Sequence, residues 1–241
     1  MPGTNHILVL ESGDGAGPLM ERLVAVDVTP IRVSHVDEAI AVLEKRDPLI
    51  TAALVPTDWS EDDIKSALKS MRRVGPASGV LFIAYGKTPD AKARKRLRSA
   101  GVKLALWEPF DDGTLRFQLN RALTGDRDQH GREDPRAPTY LFARIRVGGR
   151  TKDAILYSLS VGGAFLETPR ASMEGARLEL EIRIPGDPVN VSATVLFANV
   201  PGNLQRPNLP LGMGVRFENV SPEQHKQLKG YVEHRLSQIE V

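Results

Sequence analysis

The sequence predicts two domains: a doubly wound α/β domain with a parallel five-stranded sheet, then a small antiparallel β-barrel with a C-terminal helix. Three observations carry this. Over residues 1–123, short apolar runs alternate with stretches of helical periodicity. Residues 124–138 have no apolar periodicity and are broken by glycine and proline, as a linker is. Beyond them the pattern changes to period two. The length of 241 residues suits two ordinary domains, and 41% hydrophobic with 26% charged residues excludes a disordered tail or a coiled coil as the main object.

In the first half, Ile7-Leu8-Val9-Leu10 reads as a buried strand. Pro18 then opens a helix with Leu19, Leu23 and Val26 at three-to-four spacing. Residues 30–33 form a second strand and residues 36–43 a second helix, with Val36, Ala39, Ile40 and Leu43 on one face. Residues 50–55 are the third strand, and residues 62–71 the third helix with Ser60 as N-cap. Residues 79–84, 90–99 and 102–107 follow as strand, very basic helix and strand. Residues 111–123 close the set as a helix with two aspartates in its first turn, favourable to the helix dipole.

In the second half, residues 140–147, 154–159, 163–167, 178–184, 189–198 and 211–217 read as six short strands. Ser221-Pro222-Glu223 opens a final helix running to about Gln238, with serine as N-cap and proline at the first helical position.

Composition narrows the chemistry. There is no cysteine, which excludes disulfides, thiolate zinc sites, iron–sulfur clusters and cysteine nucleophiles. The five histidines are scattered, so no metal site is expected. The net charge of +2 is spread over both halves, unlike the concentrated positive field of a nucleic-acid binder. No apolar stretch approaches membrane-spanning length and the N-terminus lacks a signal-peptide pattern, so a soluble, cytoplasmic protein is expected. No nucleophile motif, phosphate loop or paired carboxylates with metal spacing is present, and an enzyme is not expected. Ser12-Gly13-Asp14-Gly15-Ala16-Gly17 sits where a dinucleotide-binding loop would. Its spacing is Gly-x-Gly-x-Gly rather than Gly-x-Gly-x-x-Gly, and it reads as a connection into the first helix. Lys92, Arg94, Lys95, Arg96 and Arg98 read either as a solvated face or as a partner surface.

The strand and helix count, with Leu106-Trp107-Glu108-Pro109-Phe110 at the end of the fifth strand, resembles a response-regulator receiver domain over residues 1–123. Its chemistry departs from that family. Glu11 and Ser12 stand in place of an acidic pair, Ala53-Leu54-Val55-Pro56 lacks the phospho-accepting aspartate, and Asp58 falls past the strand. Ala84 and Tyr85 replace the Thr or Ser, and Glu108 replaces the lysine that pairs with the phosphoryl group. A glutamate there repels a phosphoaspartate. The expectation is a pseudo-receiver with no phosphorylation site. The resemblance also implies a protein-partner surface over helix 90–99 and strand 102–107.

Three further motifs resemble the PilZ domain, the bacterial receptor module for cyclic di-GMP, over residues 132–241 after a linker at 124–131. They are Arg132-Glu-Asp-Pro-Arg136, Ser158-Leu-Ser160-Val-Gly-Gly163 and Gly214-Val-Arg-Phe217. The resemblance implies that Arg132, Arg136, Ser158, Ser160 and Gly163 contact cyclic di-GMP. The chemistry suits it: arginines pair with phosphates and guanine edges, short polar side chains reach a guanine, and glycine admits a purine to the backbone. Ser158 departs from the family's Asp or Asn, and a hydroxyl cannot accept from two guanine donors as a carboxylate does. The implied role is a signalling adaptor in motility, type IV pili or surface polysaccharide control. Ligand would order the arginine arm and fix the orientation of the two domains. The alternative is a ligand-independent interaction protein with a degenerate PilZ domain.

Overall fold

The computed structural model describes residues 5–11, 17–57, 59–74, 79–124, 134–206 and 209–241. The chain forms two compact units, Met1–His130 together with Gln238–Val241, and Gly131–Ser237. Residues 238–241, counted with the barrel in the sequence reading, thus group with the first unit. Most of the expected linker lies outside the described residues.

The first unit alternates β1 (Asn5–Leu10), α1 (Gly17–Ala25), β2 (Val28–Val33), α2 (Val36–Lys45), β3 (Ile50–Pro56) and α3 (Glu61–Val74). It continues with β4 (Leu81–Lys87), α4 (Ala91–Ser99), β5 (Leu104–Glu108) and α5 (Asp112–Leu123). The strands pair in parallel in the order β2-β1-β3-β4-β5, the flavodoxin-like arrangement. Both faces are covered, which is why the strands read as continuous apolar runs rather than alternating ones. Leu8, Ala53 and Phe82 face α2, α3 and α4, whereas Ile7, Leu54 and Ile83 face α1 and α5. Helix starts are fixed by short side chains. Ser60 and Asp63 close a reciprocal cap at α3, Asp90 accepts from the Ala93 amide at 2.7 Å, and Asp111 accepts from the Thr114 amide at 2.7 Å. Of the two aspartates placed in the first turn of α5, Asp111 is the cap itself.

The second unit comprises β6 (Ala137–Val147), β7 (Arg150–Ser160), β8 (Gly163–Glu167), β9 (Arg177–Ile182), β10 (Val189–Val200), β11 (Asn203–Leu204) and β12 (Gly212–Glu218). Six of these close into an antiparallel barrel, because β9 pairs with both β6 and β10 while β12 bridges β10 and β8. The two-residue β11 extends β10 beyond the barrel. Helix α6 (Pro222–Ile239) starts at a capping box: Ser221 Oγ accepts from the Gln224 amide, and Gln224 Oε1 accepts from the Ser221 amide. Leu228 and Val232 of this helix join the barrel core.

Closure brings β12 very near β8. A Cβ on Gly163 would stand 2.3 Å from the Val215 carbonyl oxygen, and one on Gly214 would stand 2.2 Å from the Phe197 ring. Glycine at both positions is therefore a packing requirement. Gly230, exposed in α6, meets nothing within 4 Å. Gly163→Ala is expected to cost the barrel about 1–3 kcal/mol through overpacking against backbone. Gly230→Ala is expected to add about 0.5–1 kcal/mol by removing backbone freedom in a helix. Differential scanning calorimetry reads these as opposite shifts of the barrel's transition.

Candidate ligand-binding site on the barrel

β7 and β8 form a hairpin through Val161 and Gly162. Ser160 Oγ donates to the Gly163 carbonyl at 3.1 Å, and the Phe217 amide donates to the Gly162 carbonyl at 2.9 Å. The turn is thus held both within itself and against β12.

Residues opposite one another in a sheet share a face, so the strand register places the expected contacts. Ser160, Gly163, Arg216 and Thr194 lie in one row. Ser158, Phe165, Gly214 and Phe197 lie in another. Between them Leu159, Ala164 and Val215 point into the core, so both serines and Gly163 belong to the outer face. Both serines are buried all the same, at 3% exposure for Ser158 and 5% for Ser160. The phenyl rings of Phe165 and Phe197, 6.0 Å apart, make the second row an apolar ledge.

β6 enters at this corner. Ala137 pairs with Leu159 and Pro138 with Ser158, so half-buried Arg136, the residue before β6, arrives next to the Ser160 row. Thr139 Oγ1 donates to the Leu156 carbonyl and anchors the strand behind it. Arg132 lies outside the described residues. The structure therefore brings Arg136, Ser158, Ser160 and Gly163 to one corner of one wall.

A Cβ on Gly163 would meet the Val215 carbonyl, so strand packing by itself requires glycine there. The glycine facing the arm is Gly162, whose absent Cβ would stand 3.4 Å from an Asp134 carboxylate oxygen. Sequence reasoning also passed over two cations. Exposed Arg216 is the neighbour of Gly163 across β8 and β12. Its position between the core residues Val215 and Phe217 was a usable signal. Arg235 of α6 donates from Nε to the Pro138 carbonyl at 3.3 Å, and nothing in the sequence marks it.

In the first unit, sheets of this topology bind ligands where the order reverses, at the carboxyl ends of β1 and β3. Glu11, just past β1 and 4% exposed, is ion-paired there with Arg32 of β2. The Tyr85 hydroxyl of β4 donates to the Leu10 carbonyl at 2.7 Å, and Thr57 Oγ1 donates to the Lys87 carbonyl at 3.4 Å. Asp58 and residues 12–16 lie outside the described residues. Among the described residues, no group of three or more His, Cys, Asp or Glu could hold a metal ion, and no helix is long and apolar enough to cross a membrane.

Residues 130–234 match the PilZ domain family. Similar solved structures include the PilZ domain with c-di-GMP of YcgR from Escherichia coli, 23% identical over 45% of this chain and 94% of that chain, TM-score 0.37. The inhibitor of motility MotI of Bacillus subtilis is 18% identical over 45% of this chain, TM-score 0.39, and the match spans 52% of that protein's length. The first half is similar to the receiver domain of a sensor histidine kinase from Pseudomonas aeruginosa, 21% identical over 51% of this chain and 99% of that chain, TM-score 0.43. No curated protein sequence matches the chain. The five-stranded parallel domain is receiver-like in strand order, and the barrel is the part of the chain that matches the PilZ domain family.

Proposed function

We propose that this chain is a non-catalytic bacterial signalling effector, which binds cyclic di-GMP at the barrel and couples that binding to a protein partner. The observation that carries the reading is the convergence of Arg136 with Ser158, Ser160 and Gly163 on one outer corner, inside the span that matches the PilZ family. In this reading Arg132 and Arg136 pair with the phosphates and guanine edges of the dianion, and Arg216 and Arg235 add positive charge at the rim. The two serine hydroxyls meet a guanine once the corner opens. Motility, pili or surface polysaccharide would be the output, and YcgR with bound c-di-GMP and the motility inhibitor MotI are the relatives that suggest it.

Each charge-assisted hydrogen bond contributes about 1.5–3 kcal/mol. Arg136→Ala is therefore expected to weaken cyclic di-GMP binding about ten- to a hundredfold. Ser158→Asp restores an acceptor for two guanine donors, and is expected to tighten binding by about the same factor. Isothermal titration into full-length protein checks both. No heat for the native chain or for Ser158→Asp would sink the receptor reading and favour a ligand-independent adaptor.

We further propose that the receiver-like domain does not switch by phosphorylation. Arg32 places a guanidinium on Glu11, where a receiver would hold a divalent cation. A guanidinium already paired to Glu11 disfavours a second cation there. Incubation with acetyl phosphate and magnesium is expected to leave the intact mass unchanged. A phosphoryl adduct would refute this.

A further inference from the structure

The sheet of the receiver-like unit ends at β5, and an edge strand presents unpaired backbone groups. Here that edge is taken. Glu240 bridges Leu104 in antiparallel fashion, and the Val241 amide donates to the Lys103 carbonyl at 3.1 Å. Ile239 and Val241, on either side of Glu240, are buried at 4% and 3% exposure. Val241 packs in the same core cluster as Leu97 of α4 and Trp107 of β5.

Three side chains of the unit read this segment. Fully buried Gln118 of α5 donates from Nε2 to Ala105 of β5 at 2.9 Å and to Ile239 at 2.6 Å, clamping strand and segment together through their carbonyls. Arg98 of α4 donates from Nε to the Val241 oxygen at 2.7 Å, and its Nη2 donates to the same atom. Arg121 of α5 ion-pairs with Glu240 at 3.2 Å, the arginine side chain being 11% exposed. Main-chain hydrogen bonds supply the hold, alternate side-chain positions supply the choice, and one half-buried arginine selects an acid. These are the attributes of strand-addition peptide recognition.

We infer that the outer edge of β5, with Arg98, Gln118 and Arg121, is a peptide-docking site for a short apolar–acidic–apolar segment leaving a helix, and that its occupant is Ile239–Val241 of the same chain, the last residue of α6 and the two that follow it. The site coincides with the partner surface expected from helix 90–99 and strand 102–107. Any protein docking there must first displace the chain's own segment. The resident occupant is tethered, so its effective concentration is in the millimolar range and a free peptide competes poorly against it. A single bridge and three residues make the hold short enough to exchange. The inference stands apart from nucleotide binding, because it uses no residue of the barrel corner.

The test uses a fluorescein-labelled peptide spanning Leu236–Val241, with the full-length chain and a chain ending at Ser237. Anisotropy is expected to show saturable binding to the shortened chain and at least tenfold weaker binding to the full-length one. In the shortened chain, Arg121→Glu is expected to lose the native peptide at least tenfold and to bind the Glu240→Arg peptide better. Should the shortened chain not fold, amide hydrogen exchange on the full-length protein decides. Val241 is expected to be protected, to exchange at least tenfold faster in Arg121→Glu, and to recover in Arg121→Glu/Glu240→Arg. A folded shortened chain that ignores the peptide, equal binding by both chains, or an unprotected Val241 would overturn the inference. So would a dimer of the full-length chain that disappears on shortening, which would place the segment on a second copy.

Discussion

The barrel depends on how closely β12 can lie against β8. Val215 presents its carbonyl oxygen where a side chain on residue 163 would begin, and the Phe197 ring takes the same space at residue 214. Glycine at these two points lets the wall close, and closure fixes the rows that cross it. The Ser160 row and the Ser158 row then fall on the outer face with a core row between them. The hairpin turn is tied to β12 by the Phe217 amide, and β6 is registered on β7 so that Arg136 reaches the same corner. A polar motif distributed over residues 136–163 is brought to one corner by the register of β6, β7 and β8.

Most of the fold was legible in the sequence because its strands and helices differ in period. The runs at residues 7–10 and 50–55 are apolar throughout, as strands covered on both faces must be, and residues 178–184 and 189–198 alternate as barrel strands do. The misses have particular causes. β6 begins at Ala137, three residues before the alternation is visible, because Pro138 argues against a strand; its ladder shifts register between Pro138 and Leu141. β11 is two exposed residues with no pattern to read. The acidic-corner substitutions were legible one residue at a time, but the Glu11–Arg32 pair was not, since it joins two strands through their register. Arg235 and the segment at residues 239–241 act through contacts far along the chain, where periodicity carries no information. At Gly163 the structure adds a packing requirement that no sequence pattern shows, because the Val215 carbonyl stands where a Cβ would be.

In the receiver-like unit, the carboxyl-end corner of the sheet and the outer edge of β5 are both occupied by the unit's own residues. At the carboxyl ends of β1 and β3, Arg32 holds Glu11. At the outer edge of β5, Glu240 and Val241 complete the sheet. The first occupant is an adjacent strand's side chain and is fixed by the fold. The second is a short backbone segment held by one bridge and one further backbone hydrogen bond, so the two occupants differ in kind. The barrel corner, by contrast, sets Arg136 and exposed Arg216 beside the buried hydroxyls of Ser158 and Ser160.

The central claim is that the β7–β8 corner of the barrel receives cyclic di-GMP, and an amide-resolved NMR titration of full-length protein with the nucleotide tests it most directly. The account predicts saturable shifts concentrated at Arg136, Ser158, Ser160, Gly162 and Gly163, extending to Arg216 and Arg235. Shifts that are absent, or that gather on β9 and the opposite wall while this corner stays unchanged, would contradict it.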